Sequence, residues 1–148
     1  MATAVDDDTK AGFVTRWKAT AGLLAAFATG PVSGNLPSPQ PSLYVGIACE
    51  QGPQPNEYYA PVATGAPYID YRKVTLTIRG IEATVSDVVN KAAAAYSWKS
   101  FTIPGATQLM HCLPLDDGRM EKDPDRKSGE EIWLGVLTYE VMTQRVVV

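Results

Sequence analysis

Apolar positions recur along the chain with two periods, and the periods predict alternating helices and strands. Phe13, Trp17, Ala21, Leu24 and Ala28 fall at helical spacing, with Val14 and Phe27 widening the stripe. Residues 9–28 are therefore predicted as one amphipathic helix of about five turns. Thr9 or Asp8 is placed to cap it, the aspartates Asp6, Asp7 and Asp8 favour its positive end, and Gly30-Pro31 stops it. Residues 1–8 are expected to be a flexible tip. Leu43, Val45, Ile47 and Cys49 alternate with Tyr44, Gly46 and Ala48, which reads as a strand with one face on the core. Val74, Leu76 and Ile78 alternate with Lys73, Thr75, Thr77 and Arg79 in the cleanest strand of the chain, residues 72–79.

Gly80 ends that strand, and Thr84 with Asp87 three residues on resembles a capping box. The helix that follows carries Val85, Val88, Val89, Ala92 and Tyr96 on one stripe and runs to about Ser97. Residues 107–113 are predicted as a third strand, bounded by Pro104-Gly105 and Pro114, and residues 131–148 as a fourth. In the fourth, Trp133, Gly135, Leu137, Tyr139 and Val141 share one face while Ile132, Leu134 and Val136 share the other. Such a strand belongs in the centre of a sheet covered on both sides, by its own helices or by a neighbouring subunit. The order gives one α+β domain over residues 1–148, a mainly antiparallel sheet of four or more strands with two helices on one face.

Composition sharpens this picture in two places. Residues 30–67 hold 5 of the 12 glycines and 8 of the 11 prolines. That density leaves a long loop region around the first strand, and Tyr58 and Tyr59 in it are candidates for contact with a partner. Residues 116–131 hold 7 acidic and 4 basic side chains among 16 and are read as a charged hairpin arm. The candidate subunit or partner interface comprises Tyr58, Tyr59, Asp116, Asp117, Arg119, Glu121, Lys122, Asp123, Arg126 and Trp133.

Charge and residue types exclude more than they suggest. A net charge of -3 argues against a generic binder of nucleic acid or anionic membrane. No run approaches the ~18 apolar residues of a membrane span, and an aspartate-rich start is unlike a signal peptide. Cys49 and Cys112 fit no zinc or redox spacing and are expected as reduced, buried thiols of a cytosolic product. His111 is the one imidazole, and Cys112 follows it directly. On a strand they point to opposite faces and cannot form a nucleophile pair without a bulge. Asp116-Asp117-Gly118 with Glu121, Asp123 and Asp125 has a passing likeness to a calcium loop, but the glycine comes too early and the closing Glu is out of place. No phosphate-cradling glycine loop, nucleophile elbow or paired carboxylate is present. No enzyme activity, metal or cofactor is expected.

Helix FVTRWKATAGLLAAF, strand YRKVTLTIRG, helix EATVSDVVNKAAAAY, arm DDGRMEKDPDRKSGEE and closing strand IWLGVLTYEVMTQR follow one another in an order that resembles the tail terminator and tail-completion proteins of long-tailed bacteriophages. The resemblance spans residues 13–145 and rests on element order rather than on one motif. It implies a structural virion protein, assembled in the host bacterial cytoplasm, that forms a hexameric ring on the head-proximal end of the tail tube. There it would stop tube polymerisation and join the head connector, with DNA passing through its lumen unbound and no membrane involved. The arm would contact the tube or line the lumen. A head-completion or neck connector protein shares this architecture, and a small binding module using the tyrosine-rich loop is the reading from another class.

Overall fold

The computed structural model describes residues 4–34, 42–51, 64–122 and 131–147. Helices α1 (Ala4–Ala19) and α2 (Ala21–Ala26) lead to strand β1 (Leu43–Gln51). Strand β2 (Pro67–Gly80), helix α3 (Glu82–Tyr96) and strands β3 (Gln108–Lys122) and β4 (Trp133–Val146) complete the chain. The strands form one antiparallel sheet in the order β1-β2-β4-β3. The fold is α+β as expected, and β4 lies inside the sheet.

The helices cover one face. Val45, Ile47, Val74, Leu76, Ile78, Leu137, Tyr139 and Val141 meet Phe13, Trp17, Leu23, Val85, Val88, Val89, Ala92 and Tyr96 in a single buried core. Phe13 stacks on Tyr96 at 4.7 Å between ring centres, and the Tyr96 hydroxyl donates to the Phe13 carbonyl at 2.6 Å. This removes the polar end of a fully buried ring from need. Helix α3 sits close on β4 because Gly135 has no side chain, and a Cβ there would overlap Val89 Cγ2.

Several boundaries differ from the sequence reading, among them the start of β2, which pairs with β4 from Pro67 rather than from Arg72. The predicted single helix over residues 9–28 is broken at Thr20, which is extended (φ -100, ψ 110). The indole of Trp17 donates to the Phe27 carbonyl at 2.9 Å and folds the second helix back on the first. The break shifts the helical phase by one residue, so Leu23 is buried at 0% and Leu24, expected on the stripe, is 40% exposed. At the other end α1 begins at Ala4, so residues 4–8 of the expected flexible tip form its first turn. Thr9 is interior, its hydroxyl donating to the Val5 carbonyl at 2.7 Å rather than capping.

Helix α3 likewise starts before Thr84, with Ile81 as its cap residue and no side-chain cap bond. Strand β3 does not stop at Pro114. It continues to Lys122, with register shifts around Met110, Leu115 and Gly118 that let an edge strand carry a proline. The first half of the expected arm, residues 116–122, is thus strand paired with β4.

Candidate assembly surface

The bare face of the sheet is set by strand alternation. Side chains opposite to the core positions are Lys73, Thr75 and Thr77 on β2 and Leu134, Val136, Thr138, Glu140 and Met142 on β4. His111, Leu113, Asp116 and Arg119 flank them on β3. No helix among the described residues packs on this face. The sequence reading anticipated apolar residues on both sides of β4, and Leu134 and Val136 fit that. At Thr138 and Glu140, however, the face is polar. Glu140 Oε1 lies 3.1 Å from His111 Nε2, and Lys73 reaches Glu50 at 3.7 Å. The carboxylate of Glu140 is 9% exposed although no helix lies over it, because strands crowd it from both sides.

The edges of the sheet are less available than the face. Beyond β1, Val32 pairs in parallel with Gly46: its N–H donates to the Val45 carbonyl at 2.9 Å and its carbonyl accepts from Ile47 at 3.0 Å. On β3, the Trp98 N–H donates to the Cys112 carbonyl at 2.9 Å. The rest of that edge carries Pro114, three register shifts and charged side chains, devices that discourage pairing with another strand. A neighbour is better met by a face or a groove than by strand addition.

The predicted interface residues occupy one end of the molecule where they are described. Asp116 Oδ1 accepts from the Arg119 N–H at 3.3 Å across the turn of the last register shift, and Asp117 pairs with Leu137. Glu121 is exposed; Lys122 bridges to Glu131 at 3.2 Å and lies 5.8 Å from the centre of the Trp133 ring. Trp133 is half-buried against the core, with its indole N–H buried and unpaired among the described residues. Tyr58, Tyr59, Asp123 and Arg126 lie outside the described residues.

Two features escaped the sequence reading. Under the far end of the helical layer, Arg72 Nε donates to both oxygens of Asp70 at 3.2 and 3.1 Å, and its Nη1 donates to Asp6 at 2.9 Å. Asp70 is fully buried. Burial works against the Arg72 charge, but the hydrogen bonds and charge of Asp70, with Asp6, more than offset it and hold the guanidinium above its usual value. Beside it, burial and then the charge of Asp6 push the Cys49 thiol up to about 12. The second feature is Trp98, 66% exposed and at φ 61, a conformation a bulky residue rarely adopts. An aromatic in the polar run Ser97-Trp98-Lys99-Ser100 was the available signal.

His111 and Cys112 point to opposite faces of β3. Cys112 is fully buried, and burial pushes its thiol up to about 12, so it is a core side chain and a poor nucleophile. Among the described residues no group of three or more His, Cys, Asp or Glu is arranged to hold a metal ion. No described helix is long and apolar enough to cross a membrane.

No family model matches the chain, and no curated protein matches it. Among solved structures, one that shares this fold spans nearly the whole of both molecules. It is a chain of the virion of a native gene transfer agent particle, with a TM-score of 0.65, 16% identity, and coverage of 97% of this chain and 99% of that one.

Proposed function

We propose that the chain is a structural virion subunit that acts as a tail terminator: copies form a ring, hexameric by the family resemblance, on the head-proximal end of a tail tube. The ring stops tube growth and offers its other side to the head connector. The observation that carries this reading is the fold shared end to end with a chain of a gene transfer agent virion. The surface supports it in kind. A sheet with one helix-free face of mixed charge, blunted edges and a long charged hairpin is suited to contact with other copies and with a tube. A net charge of -3 suits the wall of a passage that DNA must traverse without sticking. The role requires no reaction, metal or cofactor, and we assign none.

Deletion of the gene in a particle-producing genome tests the role by negative-stain microscopy. The expected result is tails of uncontrolled length without heads. Tails of normal length joined to heads overturn the virion reading, and tails of normal length without heads move the protein to head completion. Mass spectrometry of purified particles should find the chain in stoichiometric amount.

A further inference from the structure

The helical layer carries an open groove of about 480 Å³ between the α1-α2 junction and the last turns of α3, lined in part by Arg16, Lys91 and Lys99. Arg16 uses Nε to hold the Ala95 carbonyl at 3.1 Å, which keeps its charge at the groove. Lys91 is shared with Asp87 at 2.8 Å, an exposed pair of little strength, and its stem lies against Gly22. Lys99 has no ion pair among the described residues. Next to Lys99 stands Trp98, whose strained backbone is fixed on both sides. Its N–H donates to Cys112 of β3, and the flanking Ser97 and Lys99 N–H groups donate to Ala93 and Tyr96 at 3.0 and 3.1 Å. An aromatic that is exposed in the subunit and held in a costly conformation is a residue placed for a partner.

We infer that Trp98 and this cationic groove receive the end of the β3-β4 hairpin of a second copy of the chain. The inference rests on the ring reading above. Charge selects the occupant: residues 123–132, which join Lys122 to Trp133, carry 4 acidic and 2 basic side chains. Geometry makes the contact intermolecular. Cys112 pairs with Val141 and Lys122 with Trp133, so the hairpin end lies eight β4 residues from the Trp98 level, roughly 26 Å at the strand rise. The 10 residues between Lys122 and Trp133 must go out and return, a reach of roughly 16 Å. A chain therefore cannot bring its own hairpin end to Trp98 and Lys99. Donor and acceptor sit at opposite ends of one subunit, which is a heterologous contact, the kind that closes rings.

Disulfide cross-linking reads this contact even when it is weak. Chains carrying Lys99→Cys are mixed with chains carrying Glu131→Cys and oxidised mildly. The control pairs Glu131→Cys with Ile81→Cys, another exposed site, at the other end of α3. The expected result is a mixed dimer forming at least about tenfold faster than in the control, as for contacts built on a central tryptophan. Adding Trp98→Ala to the Lys99→Cys chain should return the rate to the control. Trp98 is largely solvent-exposed, so that variant should fold. If Trp98→Ala fails to fold, Arg16→Glu with Lys91→Glu in the Lys99→Cys chain serves as the second disruption and should give the same return. Equal rates for test and control pairs overturn the contact, and a fast rate that survives the disruption overturns the role of the disrupted groups. The deletion experiment reads the role without this contact. Long headless tails with control-rate cross-linking thus discard the groove and keep the terminator, and the converse discards the terminator alone.

Discussion

On β4, Leu137 and Thr138 are neighbours with little exposed surface, at 1% and 8%, yet they meet different surroundings. Leu137 faces the helices and belongs to the same buried core as Val85, Val89 and the aromatic side chains. Thr138 faces the bare side and is shielded only by its neighbours in the sheet, with Thr75 and Asp116 across from it. Low exposure on the first face reports packing that holds the subunit together. On the second it reports the flatness of a four-stranded sheet. A surface of that kind costs the subunit little to change and is free to be shaped by a partner.

The largest expected effect lies where the covered face holds charge instead of hydrocarbon. Arg72→Ala removes the guanidinium that Asp70 and Asp6 share, and removing one partner of a buried pair costs about 3–5 kcal/mol. Urea denaturation should show a subunit near or beyond its limit of stability. A loss below about 1 kcal/mol means that water already reaches the network. Next, Leu137→Ala should cost about 3 kcal/mol through lost transfer energy and a cavity. Thr138→Ala should cost less than about 1 kcal/mol. Equal losses at the two positions erase the distinction between the faces.

How much of this was legible in sequence follows the same division. The alternation of Val74, Leu76 and Ile78 and the stripe from Val85 to Tyr96 marked the covered face, because burial against one layer imposes a period. The break at Thr20 was not legible, since the alanines around it suit a continuous helix and the bend is fixed by Trp17 reaching Phe27. Asp6 read as part of an acidic tip because its partner, Arg72, stands 66 positions away. Strand β3 outran Pro114 because an edge strand can shift register around a proline, a freedom that depends on sheet order and not on local sequence. Of the predicted interface residues, charge content located the hairpin. Nothing periodic pointed to Trp98.

A third, smaller effect comes from alkaline pH. Burial raises the Cys112 thiol from about 9 to about 12, so the folded chain keeps a proton that the unfolded chain gives up. Stability from this group is complete below pH 9 and falls as pH rises towards 12, by about 1.4 kcal/mol per unit. Cys112→Ala should make the alkaline limb of a denaturation series between about pH 9 and 10.5 shallower, while Cys49, raised to the same value, keeps its own share. In the native state at pH 8 the thiol should resist iodoacetamide until urea is added. An unchanged limb would mean that the thiol ionises with solvent access through local opening.

The smallest expected effect is at His111, and it bears most directly on the bare face. Its ring is 30% exposed and stands 3.1 Å from Glu140, whose side chain is 9% exposed. Were this a core pair, removing the imidazole would strand a buried carboxylate at a cost of several kcal/mol, as at Arg72. The face is open, however, so water can enter the space the ring vacates and solvate the carboxylate. Lys73, directly across on β2, supplies positive charge nearby. His111→Ala should therefore change subunit stability by less than about 1 kcal/mol, the range of a surface pair. The contrast with Arg72→Ala is the quantity to measure: two acidic side chains of similarly low exposure, each losing its partner, one under helices and one under water. If His111→Ala proves as damaging as Arg72→Ala, the bare face is packed as tightly as the covered one and is not a surface held in reserve for assembly.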